Sequence, residues 1–481
     1  MDMLDYGDYP DDGDYPDDLY NMMGGMGGDY GDYGDYADYG NQKMEPPTYA
    51  ELVTECMIPT LQQGAAMLSH LVFFCISINI VAQVGMPSVV VHILSIAVGF
   101  TSVAMVFENL ILHIIYLSVL GYTLLLITSL LDIKQKGAYV GVGLVCYLIF
   151  WEFFIAEPAE WHRIRGVQMV LVMKLISLAF DCDHGVVKEM PDIVQFYGYV
   201  FFPGTVIYGP WMSYSTYCKL TNIPIVNFNW VCSLFLTCVK AMLCLLISTC
   251  IATTIFLTYD YRWLHAYRDA LSFRFSHYFI SYLSSLTCIA SGLGFKSNSD
   301  STTWDYPVSK PSLVEIPRSL VEVVTNWNLP MHTWLKTYVF KTTKQFGNFT
   351  AILMTYAASS LLHGLNFQLA AVLLSLGLYT YIEYVFRKRL SEIYSACIQA
   401  KRCKKCEHKY TSSNVFVILI NILFGALAMF HLAYLGVMFD SDPEKEEEGY
   451  DMSHTLAKWS ELGFASHYVA IATYIFYWLI K

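Results

Sequence analysis

A chain of 481 residues with 55% hydrophobic and 16% aromatic residues but only 15% charged ones carries more apolar surface than one soluble core consumes, since soluble domains average about 25% charged. The formal net charge of −12 is local: residues 1–40 hold twelve Asp and no Glu, Lys or Arg, so 29 of the 41 acidic residues remain to balance 29 basic ones. A basic nucleic-acid surface and a uniformly acidic body are both excluded.

The chain opens on DYGDYPDDGDYPDD and DYGDYGDYADYG, an Asp-Tyr repeat with Gly or Pro that buries too little apolar area to offset its ordering entropy. Residues 1–59 are expected to be a disordered acidic tail, solubilising or tyrosine-rich and docking, and 60–481 a transmembrane domain. The first 50 residues lack the basic and short apolar regions of a secretory signal, so insertion is expected to use an internal span.

A bilayer core of about 30 Å takes about 20 helical residues. That ruler predicts spans at 66–84, 87–106, 109–131, 137–156, 228–258, 274–294, 414–438 and 463–480. Weaker ones fall at 166–180, interrupted by Lys174, and at 194–210, interrupted by Pro203 and Gly204. The run 350–386 has the length of two spans, with Gly364 as the break. The predicted fold class is all-α, a multi-spanning transmembrane helical bundle of about 10–11 spans with re-entrant or interfacial helices. Cys232, Cys238, Cys244 and Cys250 sit in apolar stretches and read as small hydrophobes, not as a secreted disulfide framework.

The segment 296–348 is too polar to cross lipid as a simple helix, yet SLVEIPRSLVEVV within it has an apolar face interleaved with Glu315, Arg318 and Glu322, as an interfacial or re-entrant helix would. Backbone of this kind persists at membrane depth only inside protein or beside a wet cavity; an ordinary surface loop is the alternative. Further on, Arg387, Lys388, Arg389, Lys401, Arg402, Lys404 and Lys405 place 387–412 in the cytosol by the positive-inside rule. Cys403, Cys406 and His408 have ligand-like spacing, but a structural zinc site needs four ligands and Cys397 is the one other candidate nearby. No metal is expected, and Cys403 and Cys406 read as free or lipid-modified thiols. The loop from Asp440 to Asp451 reads as a solvated connector.

Ionisable residues in spans are costly and point to function; here they are His70, His92, His113, Glu152, Lys174, Lys240, His363, Glu383 and His431. Glu383 and Lys240 are placed to snorkel to an interface. His363 stands apart. Ser359 and Ser360 precede it on the same helical face, leaving room for another group to approach, and Gly364 after it lets the backbone turn. Asn328, in TNWNLPMHTW, is placed to cap a helix that has Pro330 in its first turn, and Trp327 and Trp334 are expected to line an apolar chamber beside it.

The stretches RGVQMVLVMKLISLAFD (165–181), FFPGTVIYGPW (201–211), SLVEVVTNWNLPMHTWL (319–335), TYAASSLLHGLNFQLAAVLLSLGLYTYIEYVFRKRL (355–390) and LFGALAMFHLAYLG (423–436) resemble the membrane-bound O-acyltransferase family over about 60–481. Within that family they are most similar to the branch that lipidates Wnt proteins. The resemblance implies a catalytic pair, His363 in LLHG and Asn328 in WNLP, with Trp327, Ser359 and Ser360 beside substrate. It further implies transfer of palmitoleate from palmitoleoyl-CoA, a co-substrate rather than a resident cofactor, to a Wnt serine at the endoplasmic reticulum membrane. A neutral imidazole suits the base for such a step, with Asn328 orienting it or polarising the thioester carbonyl. The residues that hold CoA are not evident from the sequence. A transporter or channel, and a noncatalytic Wnt escort, are the rival functions.

Overall fold

The computed structural model describes residues 47–222, 226–257, 259, 261–297, 302–364, 366–403, 406–439 and 452–481. The Asp-Tyr segment through residue 46, the acidic connector 440–451, and Lys404 and Lys405 lie outside the described residues. Among the described residues, helical structure begins at Tyr49, ahead of residue 60. The reason is a capping box: Glu51 N–H donates to Thr48 Oγ1 (3.3 Å) and Thr48 N–H donates to the Glu51 carboxylate (2.8 Å).

The first half of the bundle comprises α1 (Ile58–Gln83), α2 (Ser88–Phe107), α3 (Ile111–Leu130), α4 (Lys136–Phe154), α5 (Pro158–Asp183), α6 (Ile193–Val200), α7 (Phe228–Leu246) and α8 (Arg262–Ala290). A two-stranded antiparallel hairpin follows, β1 (Phe295–Ser297) and β2 (Thr302–Trp304). Then come three short helices, α9 (Pro311–Glu315), α10 (Leu320–Trp327) and α11 (Leu329–Trp334), and the closing helices α12 (Asn348–Leu362), α13 (Phe367–Tyr394), α14 (Val415–Gly436), α15 (Met452–Glu461) and α16 (Ala465–Leu479).

Among the described residues, six helical stretches are long and apolar enough to cross a membrane, or seven if the bent pair α15 and α16 forms one span. One of the six, Ser88–Leu130, turns at Glu108, whose φ is +47°. It therefore comprises α2 and α3, each of 20 residues and about 30 Å long. The shortfall against about 10–11 spans lies in segments that carry charged side chains or are cut short. Segments 166–180 and 274–294 belong to the longer helices α5 and α8, which carry Arg165, Lys174 and Asp181, and Arg262, Arg268, Asp269 and Arg274. The expected span 194–210 does not form: Asp192 caps an eight-residue helix that ends before Pro203, and Phe196, Tyr199 and Phe202 are fully buried in the core.

Polarity is distributed as a membrane requires. Gln168, Lys174, Arg274, Glu383 and Arg387 are at most 6% exposed, whereas Leu130, Phe154, Phe228, Phe416 and Leu479 are at least 75% exposed. Glu383 accordingly does not snorkel. Lys240 is exposed, its Nζ 5.9 Å from the Tyr282 ring. Cys250 is not a plain hydrophobe either: the π-helical turns 52–57 and 247–251 bring it to Cys56, and the two form a disulfide.

The expected interfacial helix in SLVEIPRSLVEVV divides into α9 and α10 around Pro317. Here α14 comes so close that a Cβ on Gly425 would collide with the Pro317 carbonyl oxygen. Ser319 caps α10 by accepting from Glu322 N–H (3.1 Å), and Leu320 N–H donates to Glu383 on α13 (2.8 Å). Arg387, one turn along α13, donates to Glu383 (2.8 Å), to the carbonyls of Arg318 (2.6 Å), Ile398 (2.7 Å) and Gln399 (3.3 Å), and to Asn421 Oδ1 on α14 (2.7 Å). Arg387→Ala should lower stability by about 3–5 kcal/mol, because it leaves the buried Glu383 carboxylate without its cation and takes a donor from four further acceptors. Arg387→Lys, with three donors against five, should recover only part of that loss; thermal unfolding of the detergent-solubilised protein measures both.

Candidate functional site

The break predicted at Gly364 is real, and it places His363. Helix α12 has 15 residues, about 22 Å, too short to cross lipid alone. It ends as His363 N–H donates to the carbonyls of Ser360 (3.1 Å) and Ser359 (3.3 Å). Gly364 then takes a φ of +92°, and Asn366 caps α13 through Gln368 N–H (2.8 Å). A Cβ on Gly364 would sit 2.8 Å from Trp161 Cζ2, so glycine is required here for close approach as well as for the turn. His363 is left at the end of a short helix, half-buried, on the wall of a cavity of about 1040 Å³.

Asn328 lines the same cavity from the junction of α10 and α11. Its Oδ1 accepts from Met331 N–H (3.0 Å), so the cap expected from the sequence is present. That bond assigns the oxygen to the helix and leaves the amide NH₂ as the face that can serve a ligand. Trp327 and Ser359 also line the cavity. Ser360 is buried and does not contribute to the wall, and Trp334 lies in the core, its indole N–H donating to the Met173 carbonyl (3.0 Å) rather than facing a chamber.

His277 on α8 is a wall residue that the sequence did not single out. Its ring stacks on Trp327 at a centroid distance of 4.2 Å and 10° between planes, and its Nε2 lies 3.1 Å from the Trp327 carbonyl oxygen. It falls inside a predicted span, so the intramembrane-histidine criterion that selected His363 applies to it equally. One turn earlier, Arg274 makes a two-pronged pair with Glu315 (2.7 and 3.1 Å), while its Nη1 has no hydrogen-bond partner among the described residues. The other membrane histidines are occupied: His92 bonds the Tyr217 hydroxyl (2.7 Å), His113 accepts from the Trp151 indole (2.8 Å), and His431 bonds Ser466. His70 lies exposed beside Ser69.

The cavity is long and changes character along its length. On α13 its wall runs Leu369, Val372, Leu373, Leu376, Thr380, Tyr384, Lys388 and Glu392, one helical face about 35 Å long that passes from aliphatic to charged. Lys336, Lys344, Arg389, Lys401 and Lys481 add to the charge. Burial, with Lys336 and Lys401 adding to it, holds His332 below the ordinary histidine range and therefore neutral beside these cations. Phe273, Trp327, Leu432, Leu435 and Phe439 provide an apolar recess, in which the Phe273 and Phe439 rings stack 4.0 Å apart.

The model of the membrane-bound O-acyltransferase family (MBOAT) matches residues 106–434. The chain is 42% identical over 454 residues to the protein-serine O-palmitoleoyltransferase porcupine of Homo sapiens, covering 90% of this chain and 98% of the relative. It is 34% identical to the Anopheles gambiae protein of the same name, over 89% and 94%. A more distant similarity, 26% over 46% of this chain and 57% of the relative, connects it with lysophospholipid acyltransferase 1 of Arabidopsis thaliana.

Gly364→Ala should cost about 1–3 kcal/mol by forcing a side chain into the left-handed region and against Trp161. Thermal unfolding reads the loss, and it should exceed that of Gly166→Ala, where no atom lies within 4 Å of the added Cβ.

Proposed function

The chain belongs to the membrane-bound O-acyltransferase family, and from that we propose that it transfers a palmitoleoyl group from palmitoleoyl-CoA to a serine hydroxyl of Wnt proteins. We place this activity in the endoplasmic reticulum membrane, with residues 60–481 as the catalytic domain and 1–59 outside it. The observation that carries the mechanism is that His363 and Asn328 share the wall of one cavity, which is apolar beside them and cationic farther along.

In this mechanism the neutral His363 imidazole takes the proton of the serine hydroxyl as its oxygen bonds to the thioester carbonyl carbon. The tetrahedral adduct expels the sulfur, the imidazolium returns the proton to it, and the products are the serine oxyester and free CoA thiol. No acyl-enzyme is needed, because holding donor and acceptor together supplies the alignment. In this reading Asn328 polarises the carbonyl: its Oδ1 already accepts from Met331 N–H, and its Nδ2 is a donor suited to a developing oxyanion. The CoA phosphates lie against Lys336, Lys344, Lys388, Lys401 and Lys481, and the acyl tail occupies the recess of Phe273, Trp327, Leu432 and Phe439. Ser359 borders the reacting atoms, and His277 holds Trp327 flat against the chamber.

Purified protein given labelled palmitoleoyl-CoA and a Wnt serine peptide should acylate the peptide. His363→Ala should lower the rate by about 10²- to 10⁴-fold while peptide binding persists; turnover at the wild-type rate would remove His363 from the chemistry. Peptide binding by the wild type without transfer would indicate an escort, and solute flux without transfer a transporter. A second comparison separates the roles of Asn328. Asn328→Asp keeps an effective helix cap but replaces the N–H donor by an acceptor, so folding should hold while transfer falls by about 10²- to 10³-fold. An undiminished rate in this variant would return Asn328 to a purely capping role.

A further inference from the structure

Outside the cavity, in the turn between α13 and α14, Cys397, Cys403, Cys406 and His408 bring one ligand atom each within 4.8 Å of one another. The sequence suggested free thiols here; the fold supplies the missing fourth ligand, because an isolated bridge between Ala396 and Tyr410 folds the loop back and buries Cys397. The Cys397 and Cys403 sulfurs are 3.4 Å apart, and His408 Nδ1 is 3.8 Å from Cys403 Sγ and 3.5 Å from Cys406 Sγ. Zinc–sulfur bonds of about 2.3 Å set at tetrahedral angles give ligand separations of about 3.5–3.8 Å.

The surroundings prepare the donors. Ser391 Oγ–H donates to the Ala396 carbonyl (2.7 Å), an oxygen that can only accept. The Ser391 hydroxyl has no second hydrogen, so it accepts from His408 Nε2 at 3.0 Å. The proton of His408 is thereby placed on Nε2, and the Nδ1 lone pair is turned toward the sulfurs, which is the tautomer and the outer partner a metal-bound histidine requires. Three thiolates around a divalent ion carry a net charge of about −1, and Arg318 Nη2 lies 4.0 Å from Cys397 Sγ to meet it.

We infer that Cys397, Cys403, Cys406 and His408 form a structural zinc site that clasps the α13–α14 turn. The site is closed, with no position left for a substrate, so its role is mechanical. The same turn presents the carbonyls of Cys397, Gln399 and Ala400 to Arg318 and Ser319 at the start of α10. The zinc thus fastens the loop on which the Asn328-bearing segment rests.

The full-length protein, purified in detergent without chelators, should hold one zinc per chain by elemental analysis. Replacement with cobalt should give the thiolate-to-metal absorption of a tetrahedral site. Cys406→Ser, at an exposed position, should abolish retention through a desalting column. Ser391→Ala keeps all four ligands and should weaken zinc binding by about 10- to 100-fold through loss of the His408 partner. The proposal is overturned if the wild type carries no zinc and gives no thiolate absorption with cobalt, if peptide mapping finds a Cys397–Cys403 disulfide, or if Cys406→Ser retains zinc as the wild type does.

Discussion

Arg387 is the constraint around which the second half of the molecule is assembled. Its guanidinium has five N–H donors and is fully buried, and each donor finds an acceptor: Glu383 on its own helix, Arg318 ahead of α10, Ile398 and Gln399 in the following turn, and Asn421 on α14. An arginine removed from water is tolerated only when saturated in this way. The consequence is geometric. Four chain segments must meet at one planar fork, and the segment leading to Asn328, 69 residues away in sequence, is one of them. Glu383 closes the arrangement by accepting from Leu320 N–H, which ties the first turn of α10 to α13.

The cavity follows from that assembly. Helix α13 contributes one long face to it, α10, α11 and the helical turn after them contribute Trp327, Asn328 and Lys336, and α12 stops short to deliver His363. Each of these elements is interrupted by a backbone device: Pro317 between α9 and α10, the Asn328 cap between α10 and α11, and Gly364 between α12 and α13. Interrupted helices expose backbone that lipid cannot satisfy, so they must be enclosed by protein or line a wet space. The same interruptions that could not survive against lipid are those that bring polar groups to the chamber.

Much of this was legible in the chain. Hydropathy identified the long apolar helices, and the SSLLHG context identified the break and the histidine at it, because glycine, small residues and a histidine in an apolar run each answer a local requirement. Helix α5 was harder to bound, since Lys174 looks prohibitive for a span until the Tyr199 and Val200 carbonyls that satisfy it are in place. Trp334 and Ser360 were misplaced relative to the cavity for a related reason: adjacency in sequence fixes neither side-chain direction nor which helix covers a face. The partner of Cys56, the closing of Cys397 onto Cys403, and the stacking of His277 on Trp327 are long-range or loop-closure facts, which local pattern suggests at most for Cys397.

Asn328 shows why a structural and a functional assignment need not compete. A cap fixes the χ angles of an asparagine by engaging its oxygen, and in doing so determines where the nitrogen points. A free side chain would lose rotamer entropy on meeting a carbonyl, whereas one already held by Met331 N–H meets it preorganised. Pro330 strengthens the effect, since it leaves the first turn of α11 without one donor that could otherwise claim the same oxygen. On the proposed mechanism the helix start is part of the site's chemistry, and its position rests in turn on the Arg387 fork that seats α10.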